Sequence, residues 1–202
     1  MMKDVIKETV ETYEKIAVEY SQRNLDVKLV EHLLAYFIEN LKGKKILDVG
    51  CGHGRDAKYL SERGFEVVGI DLSRSLLKIA RRMAPKAKFL LMDMRDLKFG
   101  DEEFDGIWSC ASFLHIPKRE ALKTLKEFRR VLKPGGLLYL GVKKGEGEKV
   151  VEKEHYKGGK KFFAFYTEKE LKDMLEKAGF KVEKVVIEKK RDTWINVFAR
   201  KD

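Results

Sequence analysis

The stretch Leu47-Asp48-Val49-Gly50-Cys51-Gly52-His53-Gly54-Arg55-Asp56 decides how this chain folds. Ile46, Leu47 and Val49 make an apolar run suited to a strand covered on both faces. Glycine then stands at every second position, at 50, 52 and 54, where a backbone without Cβ can bend sharply and approach a ligand closely as a helix opens. The next apolar run, Val67-Val68-Gly69-Ile70, closes on Asp71. A carboxylate at the tip of the second strand is where a nucleotide-binding α/β sheet holds a ribose diol, the plainer alternative being that Asp71 merely caps the helix that follows it.

Working outward, strand and helix alternate from Lys44 onward, which predicts a mostly parallel sheet with helices on both faces. Strands are expected at 44–49, 66–71, 87–92 and 104–111, with helices at 54–63, from near Ser73, and from Pro117 in a first turn. Pro134-Gly135-Gly136 reads as a turn into a strand at 137–142. The rhythm then breaks over 143–162, where Lys, Glu and Gly dominate, and a connection of that length is expected to be a lid or a mobile loop. Thr167-Glu168-Lys169-Glu170 is a capping box for the last helix, which ends at Gly179. Two strands, 180–188 and 193–200, are joined so briefly that they should be antiparallel. Upstream, residues 3–22 and the run Val27 to Leu41 carry apolar side chains at helical spacing. The fold expected is a doubly wound α/β sheet of seven mostly parallel strands with an antiparallel last strand and two N-terminal helices.

A chain of 202 residues can bury a substantial core as one domain. Charged residues make up 38% of it, mostly Lys, Arg and Glu, and the net charge is +10. Two readings of that charge stay open: adaptation to a hot environment, giving a thermophilic protein, or an anionic macromolecular partner. The excess is spread unevenly, with 17 Lys/Arg against 12 Asp/Glu over 143–202 and 26 against 21 before it, which is a tilt and no basic tail. Two cysteines and no long apolar run are expected of a soluble cytoplasmic protein without a membrane partner.

With the strand-ending residues in place, the chain resembles the class I S-adenosylmethionine-dependent methyltransferases over nearly its whole length, from Tyr13 to the last strand. The resemblance is carried by 47–54, by Gly69-Ile70-Asp71-Leu72-Ser73, Met92-Asp93-Met94 and Phe104-Asp105-Gly106-Ile107, and by Leu132-Lys133-Pro134-Gly135-Gly136. It implies that Gly50, Gly52 and Gly54, with Cys51, pass beneath the methionine and ribose of S-adenosylmethionine. Asp48 would hold the loop and the cofactor's amino group, Asp71 both ribose hydroxyls, and Leu72 the adenine face. Asp93 would take the adenine amino group, the Met94 backbone would meet the ring, and Cys110 and Ala111 would lie beside the methionine. Tyr13 and Tyr20 would close over the cofactor from a lid helix, although plain core packing suits their apolar face as well.

The sulfonium cofactor is already activated, so transfer mainly needs positioning, and the lack of an obvious catalytic cluster does not count against an enzyme. His115 and His155 are candidate catalytic groups, each with an ordinary structural or loop role as its alternative, and His53 is read as a turn residue. The acceptor is expected to be a small molecule roofed by a helical lid, 1–42, and an insertion, 143–166, with Tyr156, Phe163, Tyr166 and Trp194 lining its site. No metal is expected. Ser109-Cys110-Ala111-Ser112-Phe113 lacks the proline pair of base-amino methylating relatives, and Ser109 stands where a Pro-Cys nucleophile would need proline. The alternatives are a tRNA or RNA methyltransferase and a catalytically silent cofactor-binding protein. A dinucleotide-dependent oxidoreductase fits worst, because Gly50-x-Gly52-x-Gly54 lacks the wider second gap of that motif.

Overall fold

The computed structural model describes residues 4–202, so the first residues of the expected 3–22 helix and 1–42 lid lie outside the described residues. The N-terminal part runs through α1 (Val5–Arg23), α2 (Glu31–Asn40), β1 (Lys45–Val49), α3 (Arg55–Glu62), β2 (Glu66–Asp71), α4 (Arg74–Met83), β3 (Lys88–Leu91) and β4 (Phe104–Cys110). There follow α5 (Lys118–Val131), β5 (Leu132–Lys143), β6 (Glu148–Glu152), β7 (Lys160–Ala164), α6 (Glu168–Lys177), β8 (Phe180–Lys189) and β9 (Thr193–Lys201).

Seven strands form one sheet in the order β3-β2-β1-β4-β5-β9-β8. The first five are parallel; β9 enters antiparallel between β5 and β8, as expected of the last strand. The chain winds from β1 outward to β3 and then crosses back to β4. The connections after β1 and β4 therefore leave in opposite directions and open a crevice at the carboxyl ends of those two strands.

Alternation along the central strands builds a core on each face. Leu47, Val49, Ile107, Leu138 and Leu140 pack toward α5 and α6. Ile46, Trp108, Leu137 and Tyr139 pack toward α2, α3 and α4. Trp108 and Tyr139 stack at 3.8 Å between ring centroids, and Phe37 of α2 meets Trp108 edge-on. The helices start where polar caps allow: Ser73 Oγ accepts from Leu76 N and Thr167 Oγ1 from Glu170 N. Glu170 does not close the expected box, because its carboxylate accepts from Lys118 Nζ at 2.7 Å.

Three features differ from the sequence reading. The N-terminal helices separate in role: α2 is part of the core through Leu33, Leu34 and Phe37, and α1 lies over the crevice between α4 and β7. β5 begins at Leu132 and runs through the expected turn, with the register jumping from Phe104↔Leu132 to Gly106↔Leu137 and Gly135 at φ 71° taking up the slack. The segment expected to be irregular is a regular antiparallel hairpin, β6 on β7. Nothing in the composition of β6 announces it, since Glu148, Lys149, Val150 and Glu152 are exposed and gain their order from pairing with β7. Among the described residues, no helix is long and apolar enough to cross a membrane.

Candidate active site

The glycine turn occupies the crevice. Gly50, Gly52 and Gly54 all have positive φ, at 68°, 55° and 84°. A Cβ on Gly50 would come within 2.3 Å of Ser112 Cβ, so the turn could not pass that side chain with any other residue. At Gly52 only Tyr20 comes near, at 3.9 Å, leaving the backbone bare toward the crevice. Gly52 N donates to Asp71 Oδ2 at 2.9 Å and Ser73 N to Asp71 Oδ1 at 2.8 Å, so Asp71 ties the tip of β2 to the turn and to the start of α4. Burial pushes its carboxyl above the usual range despite those donors. Each oxygen keeps lone-pair capacity facing the crevice, which is what two ribose hydroxyls require.

The crevice has two lobes. The larger, about 370 Å³, is lined by Asp48, His53, Arg55, Tyr139, Tyr156, Lys161, Phe163, Trp194 and Asn196, with the exposed His155 at its rim. The smaller, about 100 Å³, is lined by Asp71, Leu72, Met92, Asp93 and Met94 under Ile6 and Val10 of α1. Tyr13, Tyr20, Gly50, Gly52, Cys110, Ala111 and His115 face both and mark the junction. Most of the residues singled out from sequence are thus brought together. Gly54 lies behind the turn, its Cα side packed against Ala80 of α4, and lines neither lobe. Tyr166 is a correction: it is fully buried beside Phe113, with Lys118 Nζ 5.0 Å from its ring centre, and reaches neither lobe.

Asp48 is buried on β1 and its Oδ2 has no hydrogen-bond partner. Burial, with the Asp56 carboxylate adding to it, pushes its carboxyl well above the ordinary range. An ammonium group entering the larger lobe would satisfy that oxygen. Asp56 is differently placed, accepting from Arg55 Nε at 2.7 Å and from Trp108 Nε1 at 2.9 Å. Asp93 stands in the smaller lobe, but Arg95 already donates to both its oxygens and also reaches Glu120 at 2.6 Å. Cys51 and Cys110 are free thiols; burial pushes both up, Cys110 to about 12, so neither is a nucleophile at neutral pH.

His115 sits at the junction. Its Nδ1 lies 2.6 Å from Phe162 O, and since a carbonyl can only accept, Nδ1 carries the hydrogen and Nε2 accepts from Tyr13 Oη at 3.1 Å. Burial, helped by Lys161 and Lys143, pushes His115 down to about 4, leaving it neutral at pH 7. The imidazole thus joins α1 to β7, and its one free lone pair is committed to Tyr13. Ala111, in the left-handed region at φ 55°, is held at the same junction by its N–H to Gly141 O.

Lys161 is the residue that sequence reading missed. It is 3% exposed on β7, lines the larger lobe, and lies over the rings of Tyr13, Tyr156 and Tyr20 at 3.6, 4.4 and 5.2 Å. The signal was present in the two-residue alternation Lys161, Phe163, which turns both toward the lobe.

Known proteins share this fold. The 1,6-didemethyltoxoflavin N1-methyltransferase of Burkholderia thailandensis, solved with its acceptor and S-adenosylhomocysteine, shares the fold with a TM-score of 0.76 at 20% identity, covering 97% of this chain and 86% of its own. An S-adenosylmethionine-dependent methyltransferase of Methanosarcina mazei shares the fold as well, with a TM-score of 0.76 at 24% identity, covering 82% of this chain and 96% of its own. Residues 46–136 match the family described as Methyltransferase domain. Methyltransferase GfsG of Streptomyces halstedii is 39% identical over 103 residues, 48% of this chain and 36% of its own. Tocopherol O-methyltransferase of Arabidopsis thaliana is 39% identical over 109 residues, 50% of this chain and 31% of its own. The chain spans about a third of the length of these two curated relatives.

Proposed function

We propose that the protein transfers the methyl group of S-adenosylmethionine to a small-molecule acceptor held in the larger lobe. The observation that carries this reading is a glycine turn tied to Asp71 in the smaller lobe and preceded on β1 by the unsatisfied Asp48, which faces a walled space of about 370 Å³. That volume is in the range of small-molecule sites, and α1 and the β6–β7 hairpin roof it. Tocopherol and 1,6-didemethyltoxoflavin, named for two of the relatives, are small molecules, which supports the same class here.

The residues divide the work. Asp71 takes the ribose diol, Leu72 and Met94 flank the adenine, Asp93 meets its edge, and Asp48 takes the ammonium end. Bound there, the cofactor supplies an activated methyl group, so the protein's part is to align and to exclude water. Tyr13, Tyr20, Cys110, Ala111 and His115 surround the junction where the two ligands would meet. Tyr156, Phe163 and Trp194 give the acceptor apolar walls, and His155 stands at the entrance. Because His115 is neutral and its Nε2 is held by Tyr13, a proton lost by the acceptor would reach it through the Tyr13 hydroxyl.

The test is transfer of labelled methyl from S-adenosylmethionine to a panel of quinols, phenols and N-heteroaromatics, run beside bulk tRNA at low and at high salt. Label in at least one small molecule and none in tRNA is the expected result. Label in tRNA alone, weakening steeply with salt, would replace this reading with RNA methylation. Binding of S-adenosylhomocysteine with no transfer to either class would leave a silent binding protein.

A further inference from the structure

Lys161 is unusual among the cations of the crevice wall. Arg55 is tied to Asp56 and Lys190 to Glu188, and Arg23 is exposed. Lys161 is buried, yet among the described residues its Nζ has no carboxylate partner and no hydrogen-bond acceptor; its neighbours are the faces of three tyrosines. Aromatic faces attract an ammonium, but they cannot accept its three N–H donors as oxygens do. Because Lys161 lines the lobe, these donors are free for water or for a ligand that enters.

The surroundings say which ligand. Tyr13 and Tyr20 come from α1 and Tyr156 from the turn of the hairpin, so the cage is built by the two elements that roof the lobe. Lys143 lies on the same wall, 5.8 Å from the Trp194 ring and paired with Asp192, so it adds positive potential without competing for the same partner. At the floor of the lobe stands Asp48, whose unsatisfied oxygen calls for a cation. The lobe thus offers one unsatisfied anionic group and one unsatisfied cationic group to whatever enters.

We propose that Lys161 is an anion receptor, its ammonium holding a carboxylate of a molecule bound in the larger lobe. This rests on the reading of the crevice as a site for S-adenosylmethionine and a small acceptor, and two sources supply the same chemistry: the amino-acid end of the cofactor, or an acidic acceptor. Burial, with Lys153 and Lys143, pushes the free amine down to about 7, so an incoming carboxylate would also fix its proton. The three tyrosine faces hold the side chain ready in position, which lowers the ordering cost of binding.

Calorimetric titration of wild type, Lys161→Met and Lys161→Arg separates the possibilities. The ligands are S-adenosylhomocysteine, 5′-methylthioadenosine, which lacks the amino-acid end, and, on protein saturated with S-adenosylhomocysteine, benzoate and benzyl alcohol. A charge-assisted hydrogen bond lost from a desolvated site lowers affinity about 10- to 100-fold. If the carboxylate is the cofactor's, Lys161→Met loses that factor for S-adenosylhomocysteine and not for 5′-methylthioadenosine. If it is the acceptor's, the loss falls on benzoate and spares benzyl alcohol. Lys161→Arg keeps most of the affinity in either case, and melting curves confirm that both variants are folded. The inference is overturned if Lys161→Met leaves S-adenosylhomocysteine within two-fold and benzoate shows no preference that the variant removes. It is overturned equally if the variant weakens the uncharged ligands as much as the acids. Folded wild type that fails to bind S-adenosylhomocysteine at all would instead remove the cofactor reading beneath it.

Discussion

Asp48 holds the clearest conflict between stability and binding. Its carboxyl is buried, one oxygen is unpartnered, and Asp56 stands close enough to raise its proton affinity further. A folded-state pKa above the unfolded one means that the fold loses stability as pH rises through the folded value, with no penalty below the unfolded value near 4. Asp48→Asn should therefore melt higher than wild type at pH 7, by about 2–4 °C for each kcal/mol released, with the two converging toward pH 4. The same variant should bind S-adenosylhomocysteine more weakly, having lost the charge that an ammonium needs. Thermal melts at several pH values, with one titration, check both halves; a variant that melts lower at pH 7 contradicts the assignment. Asp48 was legible from its place before the glycines, whereas the reason for its cost was not, because burial and Asp56 come from packing. Tyr166 illustrates the opposite error. An aromatic at the end of a polar segment reads as a site residue, but Phe113 and α6 draw it into the core.

Among the elements, α1 and the β6–β7 hairpin behave as one roof. Thr9 Oγ1 accepts from Phe162 N at 2.9 Å, Thr12 Oγ1 donates to Lys160 O at 2.7 Å, and Lys157 pairs with Glu19. On its other side α1 is fixed to α4 through Glu14, which accepts from Ser75 N. The two threonine links are worth about 1 kcal/mol each, and the exposed Lys157–Glu19 pair adds less. The double substitution Thr9→Val with Thr12→Val should raise amide exchange in α1 and in β7 together, leaving β1 and β4 protected. Exchange that rises in the hairpin while α1 stays unchanged would separate the two elements and contradict a common roof. The hairpin escaped sequence reading because only β7 is buried: Lys161 to Ala164 reads as a short mixed run, and β6 carries no periodicity of its own. The two helices of the N-terminus read alike for the same reason, since periodicity reports an apolar face but not what it packs against.

At the scale of the molecule, the mostly parallel sheet was legible because the buried runs ending in Asp48-Val49, Asp71 and Cys110 alternate with helices and each close on a polar or glycine-rich turn, whereas the order of the strands within it was not read from sequence. What packing alone decides is the division of the crevice into two lobes and the partnering of each charge within it. Net charge of +10 says little about this site, since cations such as Arg55, Arg95, Lys118 and Arg130 are paired with carboxylates. The switch between β1 and β4 places the glycine turn, and Asp71 links that turn to the neighbouring strand. If the crevice is the cofactor site, Asp71 is where strand order and ligand recognition meet. The most direct measurement is the titration of S-adenosylhomocysteine into wild type and Asp71→Ala, with melting curves establishing that both are folded. The account predicts one binding site in wild type and a loss of at least about 100-fold in the variant, the size of two hydrogen bonds to a charged acceptor. Equal affinity in the two proteins, or no binding to folded wild type, would contradict it.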